Sequence, residues 1–295
     1  MTAEAGGPPE KGRTDRSGES KKKPKAGRDL AAAIIVGVSL GAMIVAVLAL
    51  APKLWVAVIA VAMVIATIEV AKRFNEHGVA TLYAPAIIGG QSIIWASFFK
   101  GAHGMLAAYA ATVVVCMVWC LLRKGLSGKP DQYVAEVTHT LFVVTWVPFF
   151  ASFSVLLVQS GADGWKQLAC LFVVVACSDV GGYATGVFFG RHPMAPAISP
   201  AKSWEGFAGA VLLSQVGSIL VVRQLLGQPY WVGVALGALM VLTATGGDLV
   251  ESQVKRDLGI KDMGTLLPGH GGIMDRLDSL LPSAAAAWIV LDVLS

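Results

Sequence analysis

The chain has 295 residues, of which 55% are hydrophobic and only 14% are charged, and its mean hydropathy is +0.67. This composition excludes an ordinary soluble domain and indicates a polytopic membrane protein. The formal net charge of +4 is explained by basic residues at the membrane surface, so it does not indicate a nucleic-acid partner.

The N-terminal segment differs from the rest of the chain. Residues 1–28 are rich in Gly, Pro, Ser and Lys and contain almost no bulky apolar side chains. Such a segment cannot bury a core, so it is predicted to form a disordered, basic cytosolic tail. The run that follows, LAAAIIVGVSLGAMIVAVLAL, has full spanning length and is predicted to be a transmembrane anchor rather than a cleaved signal.

Nine apolar runs are long enough to cross a hydrocarbon layer of about 30 Å, which takes roughly 20 helical residues. The predicted fold is therefore all-α, with about nine transmembrane helices. The runs span residues 30–51, 54–71, 80–99, 102–122, 134–157, 167–190, 207–226, 230–247 and 277–294.

The positions of lysine and arginine predict the orientation, because cytoplasmic loops are enriched in these residues. With nine spans, 19 of the 23 basic residues fall on the side of the N-terminus. The N-terminus and the loops around 191–206 and 248–276 are therefore predicted to lie on the cytosolic side of the cell membrane.

Polar groups become frequent in the sixth run and in the loop after it. Asp179 interrupts CLFVVVACSDVGGYATGVFFG, and an ionisable group inside a span is a candidate functional residue, with a buried, hydrogen-bonded aspartate as the alternative. The glycines that recur every four residues in this run are expected to let a neighbouring helix approach closely. The loop GRHPMAPAISPAKSWEGFAG adds further polar side chains, namely Arg191, His192, Ser199, Lys202, Ser203 and Glu205.

Six of the 19 acidic residues lie between positions 248 and 278. Along GGDLVESQVKRDLG the eighth run continues into a polar helix, with several polar residues on one face. These residues are Asp248, Glu251, Ser252 and Lys255. A solvated helix extension with internal ion pairs is the alternative interpretation of this face.

The segment PGHGGIMDRLDS leads into the ninth run. Its proline and glycines break the preceding segment, so Asp275 and Asp278 lie one turn apart near a helix N-terminus. The helix dipole alone favours acidic residues there. Backbone amides at Gly271 and Gly272 would form an anion site, and anion donors beside carboxylates suggest a complex of metal and phosphate.

The run SQVKRDLGIKDMGTLLPGHGGIMDRLD, residues 252–278, resembles the signature of the phosphatidate cytidylyltransferase family, also called CDP-diacylglycerol synthases. GGDLVES, ISPAKSWEG and the aspartate of the sixth run also resemble family motifs. Ala201 departs from the pattern, because many relatives carry lysine at that position. The matching signature residues are Ser252, Lys255, Arg256, Lys261, Asp262, Pro268, His270, Gly271, Gly272, Asp275, Arg276 and Asp278.

This resemblance implies a Mg²⁺-dependent reaction of CTP with phosphatidic acid that yields CDP-diacylglycerol and pyrophosphate at the cytosolic membrane face. It implies a polar cavity at the cytosolic ends of the later helices. Residues 166–295 would then form the catalytic region and residues 29–165 the N-terminal transmembrane helices. The resemblance also favours a homodimer. The alternatives are a CTP-dependent polyprenol or phytol kinase and a divalent-cation transporter.

The resemblance also assigns roles to individual residues. The expected catalytic residues are Asp248, Lys255, Asp275, Arg276 and Asp278, of which Asp248 and Asp275 would bind the metal. The expected substrate-binding residues are Asp179, Ser199, Lys202, Ser203, Glu205, Glu251, Ser252, Arg256, His270, Gly271 and Gly272. The remaining acidic residues nearer the N-terminus, including Glu69, are assigned to interfacial contacts or internal hydrogen bonds.

Overall fold

The computed structural model describes residues 26–123, 126, 131–266 and 271–294, and these residues form a helical bundle. Within these ranges, six helical segments are long and apolar enough to cross a membrane. The protein is therefore a multi-pass membrane protein, and the predicted all-α class is confirmed. Most of the predicted tail lies outside the described residues, but its last three residues, 26–28, begin the first helix instead.

The helices in chain order are α1 (Ala26–Leu50), α2 (Trp55–Glu76), α3 (Tyr83–Arg123), α4 (Tyr133–Val144), α5 (Phe150–Gln159), α6 (Gly164–Phe189), α7 (Trp204–Val221), α8 (Tyr230–Asp257), α9 (Met274–Leu277) and α10 (Leu280–Trp288). Short 3-10 or π turns adjoin several of them, at Pro52–Leu54, Thr145–Phe149, Gly161–Asp163, Val222–Leu226 and Ile289–Val293.

Each predicted run lies on a helix, but runs and helices do not correspond one to one. The third and fourth runs fall on two helical halves of α3, which non-helical backbone at Gly101 (φ 62°, ψ −153°) separates, so the predicted break there is confirmed. The two halves pack against each other, because a Cβ on Gly89 would overlap the Thr112 side chain. The fifth run covers α4 and α5, which a π turn joins at Pro148, where the backbone lacks an N–H. The predicted count of nine spans stays a prediction.

A two-stranded antiparallel hairpin separates α6 from α7, where the sequence predicted only a loop. Strand β1 (Pro193–Ala195) pairs with β2 (Ser199–Ser203). The hairpin was missed because strands this short, with prolines in them, show no alternation of polar and apolar residues. It presents three predicted site residues, Ser199, Lys202 and Ser203, to the same cavity.

Close helix packing brings the polar residues together. Helices α6 and α7 approach closely at their glycines, where a Cβ on Gly206 would lie 3.0 Å from the Gly182 carbonyl oxygen and 3.4 Å from the Gly186 Cα. This confirms the packing role predicted for the glycines of the sixth run. Helix α8 meets the start of α10 at Gly247, where a Cβ would lie 2.7 Å from Pro282 Cγ. The second approach places Asp248 and Asp278 beside one cavity.

Polar contacts mark two ends of the bundle. At one end, Lys202 Nζ lies 2.5 Å from Asp248 Oδ2, and Arg256 Nε donates to the Ile198 carbonyl at 3.1 Å. These contacts join two of the loops that the basic-residue distribution assigned to the same side. A separate contact joins Ser160 Oγ to Asp292 Oδ1 at 2.8 Å, between two segments predicted for the opposite side.

Candidate active site

A cavity of about 540 Å³ opens between α6, the hairpin, α7 and α8, next to the segment that leads into α10. Ten residues predicted for the site line it, namely Asp179, Ser199, Lys202, Ser203, Asp248, Glu251, Lys255, Asp275, Arg276 and Asp278. Asp262, a signature residue to which no role was assigned, lines it as well. Among the described residues, the lining therefore contains six carboxylates and three basic side chains.

The first pair of charges in the cavity joins the hairpin to α8. The ammonium of Lys202 contacts Asp248 Oδ2 at 2.5 Å, and the Asp248 side chain is 40% exposed. Ser252 lies one turn further along α8 and donates to Asp248 Oδ1 at 3.3 Å. Asp248 is thus open to the cavity on one side and oriented by two neighbours on the other.

The second set of charges is buried. Lys255 donates to Glu251 Oε2, one helical turn before it, and to Asp275 Oδ1 at 3.0 Å. The side chains of these three residues are 17%, 1% and 3% exposed, respectively. Since charges at this depth are costly unless they are paired, Lys255 holds two carboxylates that could not both be buried without it. The shared helix face predicted for Glu251 and Lys255 is confirmed.

Asp275 is also held by the backbone of the preceding loop. Its carboxylate accepts N–H groups from Gly272 at 2.7 Å and from Met263 at 3.0 Å. Burial by itself raises the pKa of Asp275, but hydrogen bonds from Gly272, Met263 and Lys255 outweigh it and lower the pKa. The sequence predicted that the Gly272 amide binds a substrate anion, whereas in this structure it donates to the Asp275 carboxylate.

Residues at the start of α7 serve the local fold. Ser203 caps the helix, because its hydroxyl oxygen accepts the Gly206 N–H at 3.1 Å. Glu205 does not line the cavity. Its carboxylate accepts the backbone N–H groups of Arg191 and His192 and contacts His192 Nδ1 at 2.5 Å. Glu205 therefore stabilises the loop after α6. No contact between Glu205 and the cavity supports its predicted role in substrate binding.

Three further predicted residues, Ser252, Arg256 and Gly271, do not belong to the cavity lining. Ser252 donates to Asp248, which lines the cavity, and Arg256 donates to the carbonyl of Ile198, the residue before the lining residue Ser199. Gly271 has a φ of 80°, and a Cβ there would lie 2.8 Å from Asp275 Oδ2, so this position requires glycine. His270 lies outside the described residues.

The cavity can be tested for its fit to a metal ion. No three His, Cys, Asp or Glu side chains in the described ranges are already arranged as ligands of one ion. However, Glu251 Oε1 is buried and has no hydrogen-bond partner among the described residues. Carboxylate oxygens are the ligands that Mg²⁺ prefers. The donor chemistry of the lining therefore fits a divalent cation.

Two residues near the site were not assigned to it from the sequence. Glu69 Oε2 accepts the Met274 N–H at 3.1 Å, and Arg73 Nε donates to the Met263 carbonyl at 3.0 Å. Both residues lie in the last turns of α2, far from the signature along the chain. The sequence did carry one signal for these residues. Glu69 and Arg73 lie one turn apart at the end of an apolar run, on the membrane side predicted for the signature.

Comparison with known proteins adds independent information. The model of the cytidylyltransferase family matches residues 31–294. The chain is 51% identical to the phosphatidate cytidylyltransferase of Mycobacterium bovis, over 92% of this chain and 90% of that protein. It is 50% identical to the phosphatidate cytidylyltransferase of Mycobacterium leprae, over 93% of this chain and 91% of that protein. For the Brucella suis protein of the same name the identity is 37%, over 48% of this chain and 54% of that protein.

Proposed function

The chain belongs to the cytidylyltransferase family, and we propose that the cavity between α6, α7 and α8 is where it joins CTP to phosphatidate. Its activity is that of a phosphatidate cytidylyltransferase, a nucleotidyltransferase that converts CTP and phosphatidic acid to CDP-diacylglycerol and pyrophosphate. The bond that forms joins an oxygen of the lipid phosphate to the α-phosphorus of CTP. The bond that breaks releases the β- and γ-phosphates as pyrophosphate.

The charge balance of the cavity supports this use and a requirement for a metal. Among the described residues, six carboxylates and only three basic side chains line it. Two substrates that carry several negative charges would be repelled by such a lining unless cations entered with them. This excess of carboxylates is the observation that carries the proposal of a divalent cation, Mg²⁺, as the cofactor.

The basic side chains of the cavity are the proposed phosphate-binding groups. Lys202 comes from the hairpin, Lys255 from α8 and Arg276 from the segment before α10, so they surround the cavity from three elements. We propose that Lys202 and Lys255 exchange their carboxylate partners for substrate phosphates when the substrates bind. The hydroxyls of Ser199 and Ser203 line the same cavity and would donate to phosphate oxygens.

The carboxylates are proposed to hold the metal. Asp248 and Asp275 are the proposed principal ligands, and Glu251 and Asp278 line the cavity beside them. Bound Mg²⁺ would neutralise negative charge that develops on the phosphates during transfer. Asp179 faces the same space from α6 and would orient water or the ligand set. No residue needs to act as a general base, because the phosphate of phosphatidic acid is already ionised at neutral pH.

Metal removal tests this proposal. Purified protein in detergent, supplied with CTP and phosphatidate, is expected to release pyrophosphate and form CDP-diacylglycerol only when Mg²⁺ is present. Addition of excess EDTA should abolish both products, and added Mg²⁺ should restore them. Turnover that continues at the same rate in EDTA would exclude the proposed metal.

We also propose that the cavity faces the cytosol from the cell membrane, where CTP is available. The contacts of Lys202 with Asp248 and of Arg256 with Ile198 support a shared end for the two basic loops. The distribution of 19 of the 23 basic residues on that side supports a cytosolic orientation. A homodimer, which the resemblance favours, stays a prediction.

Cysteine labelling in sealed cells tests the orientation. In a variant that otherwise lacks cysteines, Lys261→Cys is expected to resist a membrane-impermeant maleimide until the cells are opened. Asp163→Cys, in a segment predicted for the opposite side, is the matched control and should react in intact cells. Labelling of Lys261→Cys from outside would contradict the cytosolic orientation of the cavity.

A further inference from the structure

The loop between α8 and α9 is connected to the N-terminal half of the bundle by two side chains of α2. Glu69 Oε2 accepts the N–H of Met274, and Arg73 Nε donates to the carbonyl of Met263. These contacts span 205 and 190 residues along the chain. The middle of the loop, at Met263, and the residue that follows the loop, Met274, are therefore attached to two successive turns of the same helix.

The Glu69 carboxylate also fits closely against this loop. A Cβ on Gly272 would lie 2.6 Å from Glu69 Oε2, and a Cβ on Gly264 would overlap Glu69 Oε1. The absence of a side chain at both glycines therefore makes room for the Glu69 carboxylate. Gly272 belongs to the signature, whereas Glu69 does not. A glycine at position 272 therefore makes room for the side chain of Glu69.

The same backbone groups lead into the cavity. The carbonyl of Met263 accepts a hydrogen bond from Arg73, and the N–H of Met263 donates to Asp275 at 3.0 Å. Met274, whose N–H is held by Glu69, directly precedes Asp275. Asp275 in turn accepts a hydrogen bond from Lys255, which lines the cavity. A continuous series of hydrogen bonds thus runs from α2 through the loop to two predicted catalytic side chains.

We propose that Glu69 and Arg73 are positioning residues of the cytidylyl transfer, which hold the loop so that Asp275 and Lys255 keep their places in the cavity. This inference rests on the proposed function of the cavity. Neither α2 residue lines the cavity in the described part of the chain. Their effect on the reaction would therefore pass through the backbone of the loop.

The proposal predicts different turnover for two substitutions of Glu69. Glu69→Ala removes the acceptor of the Met274 N–H, so kcat is expected to fall about tenfold or more, because small displacements of catalytic groups are costly. The KM for CTP should change by no more than about threefold, since no phosphate contact is removed. Glu69→Gln retains an acceptor oxygen of similar reach and should recover most of the lost kcat.

Glu136→Ala is the matched control. Glu136 is a buried glutamate of α4 whose carboxylate lies 3.7 Å from the Arg123 guanidinium. Its replacement is expected to leave kcat within about twofold of the parent, because any loss there reflects only general packing of the bundle. The same kcat loss in Glu136→Ala and Glu69→Ala would overturn a specific role for Glu69.

Hydrogen exchange of the full-length protein tests the loop independently of turnover. Peptides that cover residues 271–277 should exchange about tenfold faster in Glu69→Ala, because the buried Met274 N–H loses its acceptor. Peptides from residues 230–245 of α8 should exchange as in the parent. If the parent made no CDP-diacylglycerol, the proposed function would fail, and the exchange experiment would still decide whether Glu69 holds the loop. Unchanged exchange, or Glu69→Gln as inactive as Glu69→Ala, would overturn the positioning role.

Discussion

Replacing Asp248 by asparagine is expected to lower kcat about a thousandfold while the protein stays folded. Loss of the proposed metal-binding carboxylate at the reacting phosphates would remove about 4 kcal/mol of transition-state stabilisation, and each 1.4 kcal/mol is about tenfold in rate. Asparagine has nearly the same shape, and the Asp248 side chain is 40% exposed, so the fold should tolerate the change. Pyrophosphate release at saturating CTP, phosphatidate and Mg²⁺ measures the effect.

Asp257→Asn provides the matched control for this substitution. Asp257 is exposed at the end of α8 and does not line the cavity. The control should keep kcat within about twofold of the parent, as expected for a surface substitution. Asp248→Asn with more than a tenth of the parent's kcat would contradict the assignment of Asp248 to the metal.

Replacing Asp275 by asparagine is expected to abolish measurable turnover and, unlike the Asp248 variant, to destabilise the protein. The carboxylate is buried and accepts hydrogen bonds from Lys255, Met263 and Gly272. An amide nitrogen in its place would face a backbone N–H and leave the Lys255 charge without this partner. Breaking a buried charge pair in this way costs about 3–5 kcal/mol.

Thermal unfolding in detergent, measured beside turnover, separates the two aspartate variants. Asp275→Asn should unfold at a clearly lower temperature than the parent, whereas Asp248→Asn should unfold near it. Because a misfolded sample would also be inactive, the Asp275 variant is assayed well below its unfolding temperature. An Asp275 variant with the parent's stability would show that the buried hydrogen bonds contribute little to the fold.

The helices could be predicted from the sequence because a membrane span needs a long apolar run. The break predicted between the third and fourth runs, at Lys100 and Gly101, is confirmed by the non-helical backbone of Gly101 within α3. Glycine is the residue that adopts a positive φ there most readily. The hairpin of Pro193–Ala195 and Ser199–Ser203 could not be predicted, because two short strands give no periodic signal.

The site residues were predictable where a local pattern places them together. Glu251 and Lys255 lie one turn apart on α8, and their contact follows from helical spacing. The Lys202 contact with Asp248 required the tertiary fold, although the resemblance had named both residues. The two hydrogen bonds of Glu69 and Arg73 to the loop could not be foreseen, because nothing in the local sequence links α2 to residues about 200 positions away.

The most direct test of the central claim is the fate of labelled phosphorus in CTP. The purified protein is incubated with phosphatidate, Mg²⁺ and CTP that carries the label at either the α- or the γ-position. Attack of the lipid phosphate on the α-phosphorus predicts that α-label enters the chloroform-soluble lipid and that γ-label leaves as pyrophosphate. Diacylglycerol in place of phosphatidate should give no labelled lipid. Appearance of γ-label in the lipid, with CDP as the second product, would contradict cytidylyl transfer and indicate a lipid kinase.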